Sequence, residues 1–340
     1  MIKTHLWWDF INVRNLSTLE NFPGLWEDTT AFLAEMNCLR QPHLVQFLTA
    51  FSQEHDKKPT NHYLLFEYAT GGNLRDFWKT YQRPTLTSWL VKDVLLQLLG
   101  LTTAISAVRS IEADFFSGSH ENLQPNNILW FPSKDNSAIG TFKIAGWEEQ
   151  FVQTNRWWVN SHVDNVWPMG SIIFEFLIWL LYGKEGLNEA HGSLNDEYRQ
   201  LYPREGAKPA SASFSIPKAV EEYMVRMADD PACKLGTTAL GDLLLLVRTR
   251  LLVIEPNTQS EGETSPPSSP TFGDSQFPQI TITDCDGNTQ QMTAPSTIGR
   301  ADIDELQERL SRIITKGELS EDYWFPRTPR GDLLHPNFSH

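Results

Sequence analysis

The chain has 340 residues, 40% of them apolar, and a formal net charge of −14 from 42 acidic and 28 basic residues. The apolar share, with 12 Trp and 19 Phe, supports a large packed core and excludes wholesale disorder. So acidic a surface repels phosphate backbones and anionic lipid, and no basic cluster larger than Lys57-Lys58 or Arg248/Arg250 offsets it, so neither nucleic acid nor a membrane is an expected partner.

The first amphipathic pattern lies in residues 27–40, where Phe32, Leu33, Met36 and Leu39 share one helical face. Leu44–Phe51 and His62–Tyr68 read as adjacent antiparallel strands separated by the polar stretch Ser52–Asn61. Thr70-Gly71-Gly72 ends the second strand, and Asn73 is suited to start a short helix, Leu74–Thr80. Val91, Val94, Leu95, Leu98, Leu101 and Ile105 mark a longer helix from Thr87 to about Arg109. Short strands are expected at Ile128–Phe131 and Thr141–Ala145, then the most hydrophobic helix, Asn165–Leu181. Its apolar run Ile172–Tyr182 contains Glu175 and is too short for a bilayer, so it reads as a buried helix. Helices near 217–228 and 237–253 follow.

Composition changes at Pro256. Residues 257–297 are rich in Ser, Thr, Pro, Gly and acidic side chains, which bury too little apolar area to specify a core. Within them, alternating Ile280 and Ile282 followed by Asp286-Gly287 suggest a hairpin. Ser265-Pro266 and Ser269-Pro270 are contexts that proline-directed kinases phosphorylate. Ile303, Leu306, Leu310 and Ile313 mark a last amphipathic helix, and the tail from Pro326 reads as loose. Strands first and helices afterwards argue for two lobes of different class. Cys38, Cys233 and Cys285 are odd in number, far apart and without metal-ligand spacing. They read as reduced thiols of an intracellular protein, cytoplasmic or nuclear. Lys3, His5 and Asp9 interrupt what would be the apolar region of a signal peptide.

Residues 120–129, HENLQPNNIL, resemble the protein-kinase catalytic loop H-x-D-L-K-P-x-N-I-L, with Asn122 at the aspartate position and Gln124 at the lysine position. Three further stretches stand in the right order. Gln41–Val45 resembles the H-P-H-L-V turn, Leu64–Leu74 resembles the strand and hinge between kinase lobes, and Asn165–Gly170 resembles D-x-W-S-x-G. The chain is thus similar to the divergent kinase-like proteins common in filamentous fungi, over roughly residues 1–256 and again over 298–325. The resemblance implies an α+β, two-lobed protein kinase-like fold with a reduced N-terminal β lobe and a mainly helical C-terminal lobe. On that reading 1–69 form the truncated N-lobe and 70–256 the C-lobe, 257–297 an insert, 298–325 a returning helix and 326–340 a tail.

The same resemblance assigns roles. Phe66 is the gatekeeper, and the backbone of Glu67 and Ala69 faces an adenine edge. Met1-Ile2-Lys3 fits the V-A-I-K strand, making Lys3 the phosphate lysine, with no Gly-rich loop ahead of it. Glu35 is the helix-borne partner of that lysine, although strict counting puts Phe32 there and the alternative for Glu35 is a solvated charge. His120 shapes the loop, Asn127 remains as a metal ligand, and Arg300 closes against the base of the helical lobe.

The chemistry is depleted. Asn122 carries no carboxylate to accept a substrate hydroxyl's proton. Lys143–Glu148 stands in the place of K-I-A-D-F-G, and Gly146 offers no side-chain oxygen to a magnesium ion. Glu148 or Glu149 could reach inward instead, but acidic residues beside such a turn are more often solvated. About 18 residues separate Gly146 from Asn165, without an A-P-E-like anchor, and Trp157-Trp158 reads as a plug or an aromatic docking surface. The expectation is a pseudokinase, a signalling module that binds or scaffolds protein partners, with no cofactor, no metal site and weak or absent ATP binding. The alternatives are a divergent ATP- and magnesium-dependent serine/threonine kinase and a metal-independent ATP sensor.

Overall fold

The computed structural model describes residues 11–15, 24–55, 58–111, 120, 122–134, 138–149, 165–194, 201–202, 216–253, 281–283, 289–291 and 299–324. These form an α+β, mostly helical structure. It opens with strand β1 (Ile11–Asn15), helix α1 (Leu25–Cys38) and strands β2 (Phe47–His55) and β3 (Lys58–Glu67). The three strands make an antiparallel sheet in the order β1-β3-β2, with Ile11 opposite Glu67 and Phe51 opposite Tyr63.

The polar stretch 52–61, expected to separate two strands, instead prolongs both: Ser52 pairs with His62, Gln53 with Asn61 and His55 with Lys58. An antiparallel hairpin tolerates polar residues where water reaches it, so polarity there does not end the ladder. α1 buries Phe32, Leu33 and Met36. The Asn37 amide ties it to β2, donating to the Phe47 carbonyl at 2.6 Å and accepting from the Phe47 N–H at 3.2 Å.

Helices α2 (Leu74–Thr80) and α3 (Ser88–Arg109) follow, then the hairpin β4 (Ile128–Phe131) and β5 (Thr141–Ile144) and helix α4 (Val166–Leu194). Asn73 starts α2 as expected, through a reciprocal capping box with Asp76. The apolar stripe anticipated on α3 is buried. α4 is two helical segments joined at a kink: Gly183, at φ 67°, leaves helical geometry close to Leu181, where the sequence places the end of the first segment. A side chain at Gly183 would meet the Gln82 carbonyl oxygen at 2.5 Å, so the bend requires glycine. Phe77 on α2 is the centre of the aromatic core, with ring centroids 5.0 to 5.2 Å from Phe142, Trp130 and Trp179. α3 and α4 are each long and apolar enough to cross a membrane, yet 94% of the α4 window is buried inside the fold. Its apolar surface goes into packing, as expected for the run Ile172–Tyr182.

Helices α5 (Lys218–Ala228) and α6 (Ala239–Leu246) complete this body, α6 running on into a π-helical turn, Val247–Leu251. The anticipated hairpin is present as β6 (Thr281–Thr283) paired with β7 (Thr289–Gln291). Beyond it, α7 (Ile303–Leu319) packs on α3 and α6, and α8 (Glu321–Trp324) closes the chain's described part.

Two arginines fasten the points where residues 254–298 leave and rejoin. Arg250 donates to Glu305 through Nε at 3.0 Å and Nη2 at 2.5 Å, and through Nη1 to the Gly299 carbonyl at 2.6 Å. Arg300 donates to the Val253 carbonyl at 3.2 Å and lies over the Trp167 ring at 5.3 Å. Arg250 holds the Glu305 carboxyl below its ordinary range, mainly by these hydrogen bonds. Replacing Arg250 by Met is expected to lower the unfolding free energy by about 1–3 kcal/mol in chemical denaturation. Arg312→Met, which breaks only the exposed pair with Glu308, is expected to cost about 0–1 kcal/mol.

Candidate functional site

The loop that resembles the catalytic loop leads into β4 and packs against the residues that follow β5 and precede α4, and its shape follows from three local features. Pro125 opens a single 3-10 turn, Pro125–Asn127, closed by the Asn127 N–H donating to the Gln124 carbonyl at 2.9 Å. Gly146 sits at φ 90°, in the left-handed region, and turns the chain after β5 back over the loop. The Glu149 N–H closes that turn on the Gly146 carbonyl at 3.2 Å.

His120 is 2% exposed and is the anchor of the loop. Its N–H donates to Asn165 Oδ1 at 3.1 Å, Nε2 meets the Ala145 carbonyl at 2.9 Å, and Nδ1 accepts from the Asn122 N–H at 3.2 Å. A carbonyl at one ring nitrogen and a donor at the other assign the neutral tautomer with its proton on Nε2. Burial pulls the ring's pKa below the usual histidine value, opposed by the Ala145 carbonyl and the Glu149 charge. Asn165, just ahead of α4, thus supplies an acceptor oxygen to the backbone of the loop.

The side chains around Asn122 form one connected network. Its Nδ2 donates to Glu149 Oε2 at 2.7 Å, and its Oδ1 accepts from Gln124 Nε2 at 2.7 Å. Asn127 Nδ2 donates to the Asn122 carbonyl at 2.9 Å, while the Asn127 carbonyl accepts from the Ala145 N–H at 2.8 Å. His120, Asn122, Gln124 and Asn127 are therefore brought together, with Glu149 added. The picture of Glu148 and Glu149 as solvated charges is corrected: Glu148 is 2% exposed and Glu149 is half-buried against Asn122. The left-handed turn at Gly146 is the cause. Trp147 is buried beside them, edge-on to His120 with ring centroids 4.6 Å apart.

The residues expected at a nucleotide edge lie at the end of β3 and just beyond it. Phe66 is buried against Phe47, centroids 5.7 Å apart. The Ala69 carbonyl accepts from the Gly72 N–H at 3.1 Å, so it is engaged in a turn. Glu67 does more than its backbone promised. Its Oε1 accepts from the Gln46 N–H and from Lys143 Nζ, each at 2.7 Å. This joins the three-stranded sheet to β5, beside the backbone seam in which the Val45 N–H reaches the Ile144 carbonyl and the Ile144 N–H reaches His43. Sequence reasoning misses Lys143 because nothing in its local sequence announces a partner 76 positions away.

Glu35 is exposed on α1, a solvated helix charge, whereas Phe32 faces inward because the sheet-facing side of that helix is apolar. Lys3 lies outside the described residues, as do Trp157, Trp158, Ser265 and Ser269. On the side of β3 away from β2 the paired strand is Ile11–Asn15, with Arg14 opposite Leu64; the strand expected at Met1–Lys3 lies outside the described residues. Among the described residues no group of three or more His, Cys, Asp or Glu is arranged to hold a metal ion.

No protein-family model matches the chain, and no curated protein matches it.

Placing an aspartate at Gly146 is expected to damage the loop. A Cβ there would lie 3.2 Å from the Asn127 amide, on a backbone that L-residues rarely adopt. Gly146→Asp is expected to lower the unfolding free energy by about 1–3 kcal/mol, measured by urea denaturation.

Proposed function

We propose that this chain is a protein kinase-like binding or scaffolding module, intracellular and in signalling, that has lost phosphoryl transfer. The observation that carries the reading is the state of Asn122. Both ends of its amide are committed within the loop, the NH2 to Glu149 and the oxygen to Gln124. A proton acceptor for an attacking hydroxyl needs a free basic oxygen at that position, and none is offered. Gly146 brings no oxygen to a cation, and its conformation excludes an unstrained return to aspartate.

The strand order β1-β3-β2 agrees with this reading, β1 taking the place of the strand that bears the phosphate lysine. The exposed Glu35 and the engaged Ala69 carbonyl also weigh against a working nucleotide site.

Thermal unfolding with ATP, with and without magnesium, and a phosphotransfer assay test the proposal. The expected result is a shift of less than about 1 °C in either condition and no transfer, since a ligand that binds only the folded state at saturating concentration raises the transition by several degrees. A magnesium-dependent shift accompanied by transfer would overturn the proposal in favour of a divergent kinase. A metal-independent shift would favour an ATP sensor.

A further inference from the structure

Glu149 holds a place that a depleted loop had no need to fill. Its Oε2 is 2.7 Å from Asn122 Nδ2. A carboxylate only accepts, so the amide must turn its NH2 toward Glu149 and its oxygen toward Gln124, as observed. The polarity is the reverse of a loop whose carboxylate accepts from a substrate hydroxyl. Here the loop donates, and the chain's own acid accepts.

We infer that Glu149 is a strap in cis: it closes the segment after Gly146 over the loop and occupies the position in front of Asn122 where a substrate hydroxyl would sit. The asparagine permits this occupancy. The inference rests on the kinase-like reading for what is occluded, but the strap itself rests on geometry alone. With aspartate at 122, two carboxylates would meet across the same contact, and like charges so placed cannot both stay ionised without cost. Gln124 can keep donating to the residue-122 oxygen, but its neutral NH2 does not cancel the repulsion between two carboxylates. The left-handed turn at Gly146 and the Glu149 N–H bond to its carbonyl deliver Glu149 to this position. Asn122 is in this sense a positioning residue for the strap as well as a lost base.

The test compares Asn122→Asp, Glu149→Gln and the double variant of the full chain, without nucleotide and at one pH of about 8, where exposed carboxylates are ionised. Glu149→Gln is expected to stay within about 1 °C of the parent, because its amide oxygen can accept the same bond. Asn122→Asp is expected to lower Tm by about 3 °C or more. It should also speed amide exchange at Trp147–Glu149. The double variant is expected to regain most of both, because the amide introduced on the strap can donate to the carboxylate introduced in the loop. An unaffected Asn122→Asp protein would overturn the strap. So would a double variant as impaired as Asn122→Asp, since the loss would then belong to the loop alone. Neither result bears on ATP, so a failed strap and a failed kinase-like reading are distinguishable.

Discussion

The rest of the structure around the loop depends on the buried hydrogen bonds of His120. One imidazole and its backbone N–H link three parts of the fold: the start of α4 through Asn165, the end of β5 through Ala145, and the loop itself through Asn122. The contacts with Asn165 and Ala145 are buried and that with Asn122 part-buried, so a missing partner at either of the first two would leave a buried polar group at a cost of about 1–3 kcal/mol. The ring is neutral because burial disfavours its charge. Above it, Trp147 covers the knot, and the Gly146 turn decides where the following acids go.

This constraint separates the loop's architecture from its chemistry. The architecture needs a histidine, a proline-initiated turn, Asn127 and an acceptor at 165, and all are present. On the kinase-like proposal the chemistry would need a carboxylate at 122 and an oxygen ligand at 146, and the chain has Asn122 and Gly146 there. An amide at 122 is structurally satisfied from both sides, so nothing in the packing favours a return to aspartate. A second set of polar contacts, Glu67 with Lys143 and Gln46, joins the sheet to β5 independently of the loop. Loss of the one need not loosen the other.

How much of this was legible in the sequence follows from the range of each interaction. Helices announced themselves through local rules: the stripe on α3, the cap at Asn73, the apolar run of α4. The β6–β7 hairpin was legible from two alternating isoleucines and Asp-Gly. Polar residues 52–61 misled because an antiparallel ladder needs no apolar alternation where water reaches it. At the site, Asn122, Gln124 and Gly146 were legible as substitutions against a known pattern. The contacts they make in the fold were not. The tie from Asn122 to Glu149 spans 27 positions and that from Arg250 to Glu305 spans 55, and both depend on a fold that brings them together. Gly146 could be read as an absent ligand, but not as the left-handed residue that aims Glu149.

If the loop persists because it holds the fold together, its anchor should matter to stability. The most direct measurement is the unfolding free energy of Asn165→Asp beside Asn165→Ala. Aspartate keeps an acceptor for the His120 N–H, so that variant should remain within about 1 kcal/mol of the parent. Alanine strands a buried donor and should cost about 1–3 kcal/mol. An alanine variant as stable as the parent would contradict the claim.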